Sequence, residues 1–467
     1  MPIITGQAKR TSWFSSLPVV KSLSASQLRR NMTSGVATTV INSGVMLISY
    51  PIYLHYLGFK KLGVWIVLST VLAFVQMCNL GMGPAVTKLV AEEHGRGNTE
   101  GIQSYVTTAL RTLAATGCIA LVVLILLAKP IIGIFKLGPE NATIALRFFP
   151  YMGLLTVYAF LVQILTATLS GLGRMDQVNY RDSACRAISL GVAAVLLIWG
   201  YGIFSLLIGM AIYHLLIHIT SIILIRKIVS LRILKLNWDV KRFRKLISFG
   251  GAVFGGSIIS MLFSPFNKLM LSRYAGVATV PIYEIAFTGS MQVRGLIEAA
   301  FRALVPEISR IGADMTVQTR DRISQIYRRT MKLIFFFGTP IYAALVILAP
   351  ILLKLWLGER FVETLPGVFR IMLIGTFLSL LCVPAYYALM GLGWMRYCFL
   401  SLVIQGSVNA GIVGIFLLFV GTVSISTVAL AVMLAMGVTC LYIVWKNRSI
   451  MRKLQLGTIG QSHASNT

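Results

Sequence analysis

Long apolar stretches are the feature that most restricts how this chain can fold. A helix needs about 20 mostly apolar residues to cross the hydrocarbon layer of a membrane, and twelve stretches reach or approach that length. Only 12% of the residues are charged, whereas about 25% is usual in a soluble protein. We therefore predict an all-α integral membrane protein with about twelve transmembrane helices. The predicted spans are roughly 32–56, 62–90, 103–128, 148–170, 183–200, 203–225, 246–272, 280–310, 331–357, 367–391, 397–420 and 424–446.

The basic residues are distributed unevenly between the two sides of these spans. With the N-terminus placed inside, 30 of the 42 lysines and arginines fall in inner segments and 8 in outer segments. Because lysine and arginine concentrate in cytoplasmic loops, both termini are predicted to be cytoplasmic. The net charge of +28 is then explained by topology and by contact with anionic membrane lipids. Nucleic acid is not expected as a partner.

The sequence repeats itself at an offset of 218 to 220 residues. Tyr56-Leu-Gly58 matches Tyr274-Ala-Gly276, and Gly171-Leu-Gly173 matches Gly391-Leu-Gly393. The offset carries the first span onto the seventh, so both copies have the same orientation, and such parallel repeats handle their substrate between the halves. We predict a cytoplasmic tail at 1–31, a six-helix bundle at 32–226, a basic cytoplasmic linker at 227–245, a second six-helix bundle at 246–446 and a cytoplasmic tail at 447–467.

Ionisable side chains inside the predicted spans indicate a functional region. Each costs roughly 2.5 to 3.5 kcal/mol at the bilayer centre, so it must face protein or water. Four of those in the eighth span follow one stripe at 100° per residue, and one lies in the seventh span. Two interpretations stay open: the stripe lines a hydrated cavity between the bundles, or its members pair with one another as an inert network. The five residues are Lys268, Glu284, Arg294, Glu298 and Arg302.

Several motifs resemble those of a known transporter family. They are Tyr56–Trp65, Asn79–Val86, the loop Glu92–Gly97, Gly171–Asp176, and Tyr283 with Pro306. Together they resemble the polysaccharide-exporter branch of the multidrug/oligosaccharidyl-lipid/polysaccharide flippase superfamily, typified by O-antigen flippases. The resemblance spans nearly the whole chain. In one departure, relatives often have Asp-Leu-Gly where this chain has Asn79-Leu80-Gly81, so a carboxylate that could bind an ion is absent here.

The resemblance implies a function and a cellular location. We expect a flippase of the bacterial cytoplasmic (inner) membrane that translocates a polyprenyl-diphosphate-linked oligosaccharide by alternating access, for O-antigen, capsule or exopolysaccharide synthesis. Its partners would be that lipid-linked glycan, anionic membrane lipids, and a polysaccharide polymerase with its chain-length machinery.

The expected site lies in a cavity between the two bundles. Arg294, Arg302 and Lys268 are predicted to contact the diphosphate, with Asn42, Gln76 and Asn79 as further polar groups of the cavity. Glu284 and Glu298 are the candidates for coupling transport to protons or sodium. Catalytic residues, metals and cofactors are not expected.

Two alternative functions remain. A small-molecule cation antiporter of the same superfamily would favour carboxylates over lysine and arginine in its cavity, whereas this chain has more basic than acidic groups there. A membrane glycosyltransferase or polysaccharide polymerase would need a substantial outer loop with catalytic acids. The predicted outer loops are short, and their clear carboxylates are Glu140, Glu359 and Glu363. We therefore predict that the protein is not an enzyme.

Overall fold

A computed structural model describes residues 18–75, 79, 81–229, 239–299, 317–392 and 394–455. Regular secondary structure in these ranges is helical throughout. The first half contains α1 (Pro18–Val75), α2 (Met82–Gly95), α3 (Thr99–Leu126), α4 (Ala128–Ile134), α5 (Pro139–Gly171), α6 (Met175–Ile198) and α7 (Ile203–Arg226). The second contains α8 (Val240–Tyr274), α9 (Thr279–Ala299), α10 (Val317–Leu333), a π turn (Ile334–Gly338), α11 (Thr339–Leu357), α12 (Thr364–Leu381), α13 (Val383–Gly391), α14 (Met395–Val420) and α15 (Ile425–Gln455).

The prediction of an all-α membrane protein is confirmed. Every predicted span overlaps a helix, and eight helical segments of the described ranges are long and apolar enough to cross a membrane. Helix α6 fails that criterion because of its charged residues. The eight segments are Thr33–Ala73, Thr99–Leu126, Pro139–Gly171, Ile203–Arg226, Asp321–Arg360, Thr364–Gly391, Met395–Val420 and Ile425–Arg452.

Several helix ends differ from the predicted spans. Helix α1 begins at Pro18, inside the predicted N-terminal tail, because helical hydrogen bonding does not need an apolar environment and continues beyond the apolar stretch. The predicted span 62–90 is divided, since α1 ends at Val75 and α2 begins at Met82 after Gly81 in a left-handed conformation (φ 67°). The predicted span 367–391 is divided between α12 and α13 at Cys382.

The helices pack as two groups that meet along one seam. In the first group α1 contacts α5 and α6, α2 and α3 contact α5, and α7 contacts α5 and α6. In the second, α12 contacts α9, α11 and α15, and α14 contacts α8 and α15. The seam is formed by α1, α2 and α3 against α8, and by α1 against α9. Helices α5 and α13 end at Gly171 and Gly391, 220 residues apart. Superposition of the two halves by a rotation of about 180° stays a prediction.

Close approach of the two halves depends on a glycine. A Cβ atom on Gly63 would lie 2.3 Å from the backbone oxygen of Val277, on the loop between α8 and α9. That distance is far inside van der Waals contact, so any side chain here would push the seam apart. The end of the molecule near Gly63 is the one that the charge distribution predicts to be outer.

Helix α1 is broken in two ways near this same end. Gly58 has non-helical angles (φ 66°, ψ 174°), and Pro51 lies inside the helix. Proline has no backbone N–H, so the Leu47 carbonyl four residues earlier lacks its usual intrahelical donor. The second half of the chain supplies one instead, because the Trp356 indole nitrogen donates to the Leu47 oxygen at 2.6 Å. Arg360 likewise donates to the His55 oxygen, in the last turn before the kink, at 3.0 Å.

Candidate functional site

A cavity of about 650 Å³ lies between the two halves of the molecule. Helices α1, α6 and α7 form most of its wall, and α8 and α9 close it from the second half. The charged members of its lining are two cations and one carboxylate, which gives one net positive charge. Its lining includes Asn42, Ser49, Tyr50, Tyr53, Trp65, Ser69, Arg186, Ser189, Tyr213, Lys268, Glu284 and Gln292.

An ion pair from the second half faces this cavity. The Lys268 ammonium on α8 lies 2.8 Å from a carboxylate oxygen of Glu284 on α9, and the two side chains are 13% and 18% exposed. A hydrogen-bonded chain fixes the helices behind the pair. Asn409 of α14 donates to Asn267 at 2.9 Å, and Asn267 donates to the Tyr283 hydroxyl at 3.2 Å. Because Asn267 and Tyr283 are the sequence neighbours of Lys268 and Glu284, this chain positions the ion pair.

The first half contributes a cation of its own. Arg186 on α6 pairs with Asp182 one turn earlier at 2.9 Å, and its guanidinium lies over the ring of Tyr213 at 5.2 Å. The Tyr213 hydroxyl also donates to Asp182. Arg186 is therefore held by a carboxylate and an aromatic ring on the cavity wall opposite Lys268.

Arg186 is a cavity residue that the sequence patterns do not identify. Arg181 lies just before the predicted span 183–200 and Arg186 near its start, and both are among the 30 basic residues assigned to inner segments. The structure places both within α6, where Arg181 is buried and donates to Ser221 and Thr166. The charges predict the cytoplasmic end of the span, but α6 continues through them. The four-residue spacing of Asp182 and Arg186 was the available signal, because such a pair partly neutralises itself on one helix face.

The charges of α9 form two separate groups. Glu284 lies in the cavity, whereas Arg294 pairs with Glu298 at 3.1 Å and the Tyr387 hydroxyl of α13 donates to Glu298 at 2.7 Å. Gln292, which lines the cavity and accepts a hydrogen bond from Ser43 of α1, explains the difference. Arg294 follows Gln292 by two residues, which is a rotation of about 200° in a helix. Its side chain therefore points away from the cavity and into the second half.

The other predicted site residues are distributed as follows. Asn42 lines the cavity. Asn79 donates to Gln163 of α5, next to a second hollow between α2, α5 and α8. Gln76 and Arg302 lie outside the described residues. The structure thus brings Asn42, Lys268 and Glu284 together at one cavity.

A family model described as a polysaccharide biosynthesis protein matches residues 57–366. A Shigella flexneri protein described as "Putative O-antigen transporter" is 22% identical over 339 residues, which are 72% of this chain and 78% of that protein.

Two solved structures share the fold at low sequence identity. The lipid II flippase MurJ, in an inward closed conformation, has a TM-score of 0.72 and 15% identity. The alignment covers 92% of this chain and 90% of the MurJ chain. An inward-facing multidrug resistance transporter of the MATE family in the MOP superfamily also has a TM-score of 0.72 and 15% identity, covering 90% of this chain and 95% of its own.

Proposed function

This chain belongs to the family of polysaccharide biosynthesis proteins, and from that premise we propose that it is a flippase for a polyprenyl-diphosphate-linked oligosaccharide. The predicted resemblance to the polysaccharide exporters is confirmed by the family match, the similarity to an O-antigen transporter and the fold shared with MurJ and a MATE transporter. The chain is a multi-pass membrane protein. Its proposed location is the bacterial cytoplasmic membrane, where it would serve surface polysaccharide synthesis.

The observation that carries this proposal is the placement of one cation on each side of the cavity. Arg186 belongs to the first half and Lys268 to the second. Arginine offers phosphate oxygens a planar fork of donors, and lysine acts as a compact point charge. A diphosphate between the two side chains would be contacted by both halves at once. Substrate binding would then bias how the halves sit against each other, as alternating access requires.

The remaining lining suits a sugar. Tyr50, Tyr53, Trp65 and Tyr213 combine broad apolar faces with hydroxyl or indole donors, and Asn42 adds an amide. A volume of about 650 Å³ lies in the range of small-ligand pockets, roughly 300 to 1,000 Å³. The cavity would therefore hold the diphosphate and a few sugar rings, while the prenyl chain stays in the bilayer because apolar groups are stabilised there.

Liposomes test this function directly. The purified chain would be reconstituted with a fluorescent polyprenyl-diphosphate disaccharide, and dithionite added outside would quench only the outward-facing label. Transport across the bilayer should produce a second quenching phase at least about ten times faster than in protein-free liposomes. An unchanged second phase would contradict the proposal, provided that the protein elutes as a folded species in detergent.

The same liposomes distinguish the alternative transporter. A cation antiporter should release a trapped lipophilic cation in exchange for protons or sodium ions that move down an imposed gradient. Each cation of the cavity lining has a carboxylate partner, Asp182 for Arg186 and Glu284 for Lys268, so the described residues offer no excess of negative charge to attract cationic cargo. We also propose that the protein has no enzymatic role, consistent with relatives that are described as a transporter and a flippase.

The proposed orientation makes a separate prediction. Both termini and the linker after α7 should be cytoplasmic, because the predicted inner segments hold 30 of the 42 basic residues, or 28 without Arg181 and Arg186. Reporter fusions after Lys245 and after Thr467 should therefore be fluorescent with a cytoplasm-specific reporter and inactive with a periplasm-specific one. A periplasmic signal at either position would contradict the orientation.

A further inference from the structure

Helix α10 carries a dense cationic surface on the second half of the molecule. One of its faces packs on that half, because Ile323 is buried against Ala388. The other face exposes four cations within an arc of about 120° at 100° per residue. The four cations are Arg322, Arg328, Arg329 and Lys332, and one exposed carboxylate, that of Asp321, lies within the same arc.

The chain changes from cationic to apolar immediately after this helix. The π turn Ile334–Gly338 follows Leu333, and Phe335, Phe336 and Phe337 are 55%, 73% and 58% exposed. Exposed phenylalanines at the start of a membrane-crossing segment face lipid chains, whereas exposed cations belong at the headgroup level. The boundary between headgroups and hydrocarbon therefore lies close to Lys332 and Leu333.

A hollow of about 790 Å³ lies at this boundary. Its lining combines two cations with four apolar side chains: Arg329, Met331, Lys332, Leu333, Phe335 and Phe336. A ligand that fits must carry negative charge at one end and be apolar along the rest. The hollow shares no lining residue with the central cavity.

We propose that this hollow is a binding site for an anionic phospholipid of the bilayer. The phosphate lies between Arg329 and Lys332, where both side chains donate charge-assisted hydrogen bonds, and an acyl chain lies along Phe335 and Phe336. The two cations of the hollow favour a lipid with net negative charge over a zwitterionic one, because they repel an ammonium headgroup. This inference does not depend on the transported substrate.

Lipid binding to the purified full chain tests the site. In phosphatidylcholine nanodiscs, fluorescent phosphatidylglycerol should bind the wild-type chain more tightly than fluorescent phosphatidylcholine. The double variant Arg329→Gln/Lys332→Gln should bind phosphatidylglycerol about tenfold more weakly or worse. The matched control Arg322→Gln/Arg328→Gln removes the same charge from the same helix face but spares the hollow, and it should change the affinity less than twofold. Equal losses in the two variants would overturn the site in favour of diffuse surface attraction.

Further measurements distinguish the ligand. Phe336→Ala should weaken binding of phosphatidylglycerol, and glycerol 3-phosphate, which has the phosphate but no acyl chain, should not displace the lipid. Displacement by glycerol 3-phosphate would identify a phosphate site and overturn the assignment to a lipid. Tighter binding of undecaprenyl phosphate than of phosphatidylglycerol would assign the hollow to a transport substrate and would also overturn it. These lipid affinities are measured without transport, so the lipid site can be confirmed even if the flipping assay contradicts the proposed function.

Discussion

Replacing Lys268 by alanine is expected to slow transport of the lipid-linked oligosaccharide by about ten- to hundredfold. Lys268 is the cation that the second half presents to the cavity. A hydrogen bond to a charged group contributes roughly 1.5–3 kcal/mol, and every 1.4 kcal/mol corresponds to a factor of ten. The rate of the second quenching phase in the liposome assay measures the effect. A variant that transports at the wild-type rate would remove Lys268 from the proposed diphosphate site.

A double variant separates substrate binding from simple charge balance. Alanine at Lys268 leaves Glu284 without its partner, so the loss could reflect an unpaired carboxylate. Lys268→Gln/Glu284→Gln removes both charges at similar volume. If Lys268 binds the diphosphate, this double variant stays slow; recovery of transport would mean that Lys268 only neutralises Glu284.

The matched control uses the other ion pair of α9. Arg294→Gln/Glu298→Gln removes a pair of similar length that points away from the cavity, and we expect it to transport within about threefold of the wild-type rate. The sequence pattern predicts that Arg294 also binds the diphosphate. A loss as large as that of the Lys268 double variant would therefore restore that assignment.

Glutamine at Glu284 is expected to uncouple transport from the ion gradient. Glu284 is the one carboxylate among the described residues of the cavity lining, and it pairs with Lys268. Proton or sodium binding to Glu284 would weaken that pair and free Lys268 for the diphosphate. Glu284→Gln mimics the protonated form at nearly constant volume. Flipping should then proceed at the same rate with and without an imposed proton or sodium gradient, while wild-type flipping responds to one of them.

Glu298→Gln is the comparison for this experiment. Its carboxylate is held by Arg294 and Tyr387 outside the cavity, so this variant should remain gradient-dependent. If both variants respond to the gradient as the wild type does, the carboxylates are structural partners of their cations and coupling occurs elsewhere. If only Glu298→Gln loses the response, the second ion pair is the coupling site.

The fold could be predicted from the sequence because membrane crossing is encoded locally. An apolar stretch of sufficient length forms a helix wherever it is inserted, and all twelve predicted spans overlap helices. The break near Gly58 could also be anticipated from the gap between the first two spans. The division of the second span at Gly81 could not, since it depends on a left-handed turn inside an otherwise apolar segment.

The site could be predicted only in part, because the packing of neighbouring helices decides which side chains of a helix face the cavity. Periodicity placed Glu284, Arg294 and Glu298 on one broad stripe, but the contact of Gln292 with α1 decides which part of that stripe faces the cavity. Arg186 was missed for a related reason. A charged pair four residues apart is equally typical of a helix end and of a polar cavity wall. The packing partners of α6 are needed to distinguish the two.

The contacts made by Trp356 and Arg360 with the α1 backbone have a consequence for how the two halves separate. The Leu47 carbonyl lacks its regular intrahelical donor because of Pro51, and the His55 carbonyl lies in the last turn before the kink, so opening this end leaves two acceptors that need new donors. Water can replace the indole and guanidinium groups at little net cost, because exchanging a protein hydrogen bond for one to water changes the free energy by only about 0.5–1.5 kcal/mol. The closed end is therefore a hydration-sensitive contact, and solutes that lower water activity should favour its closed form.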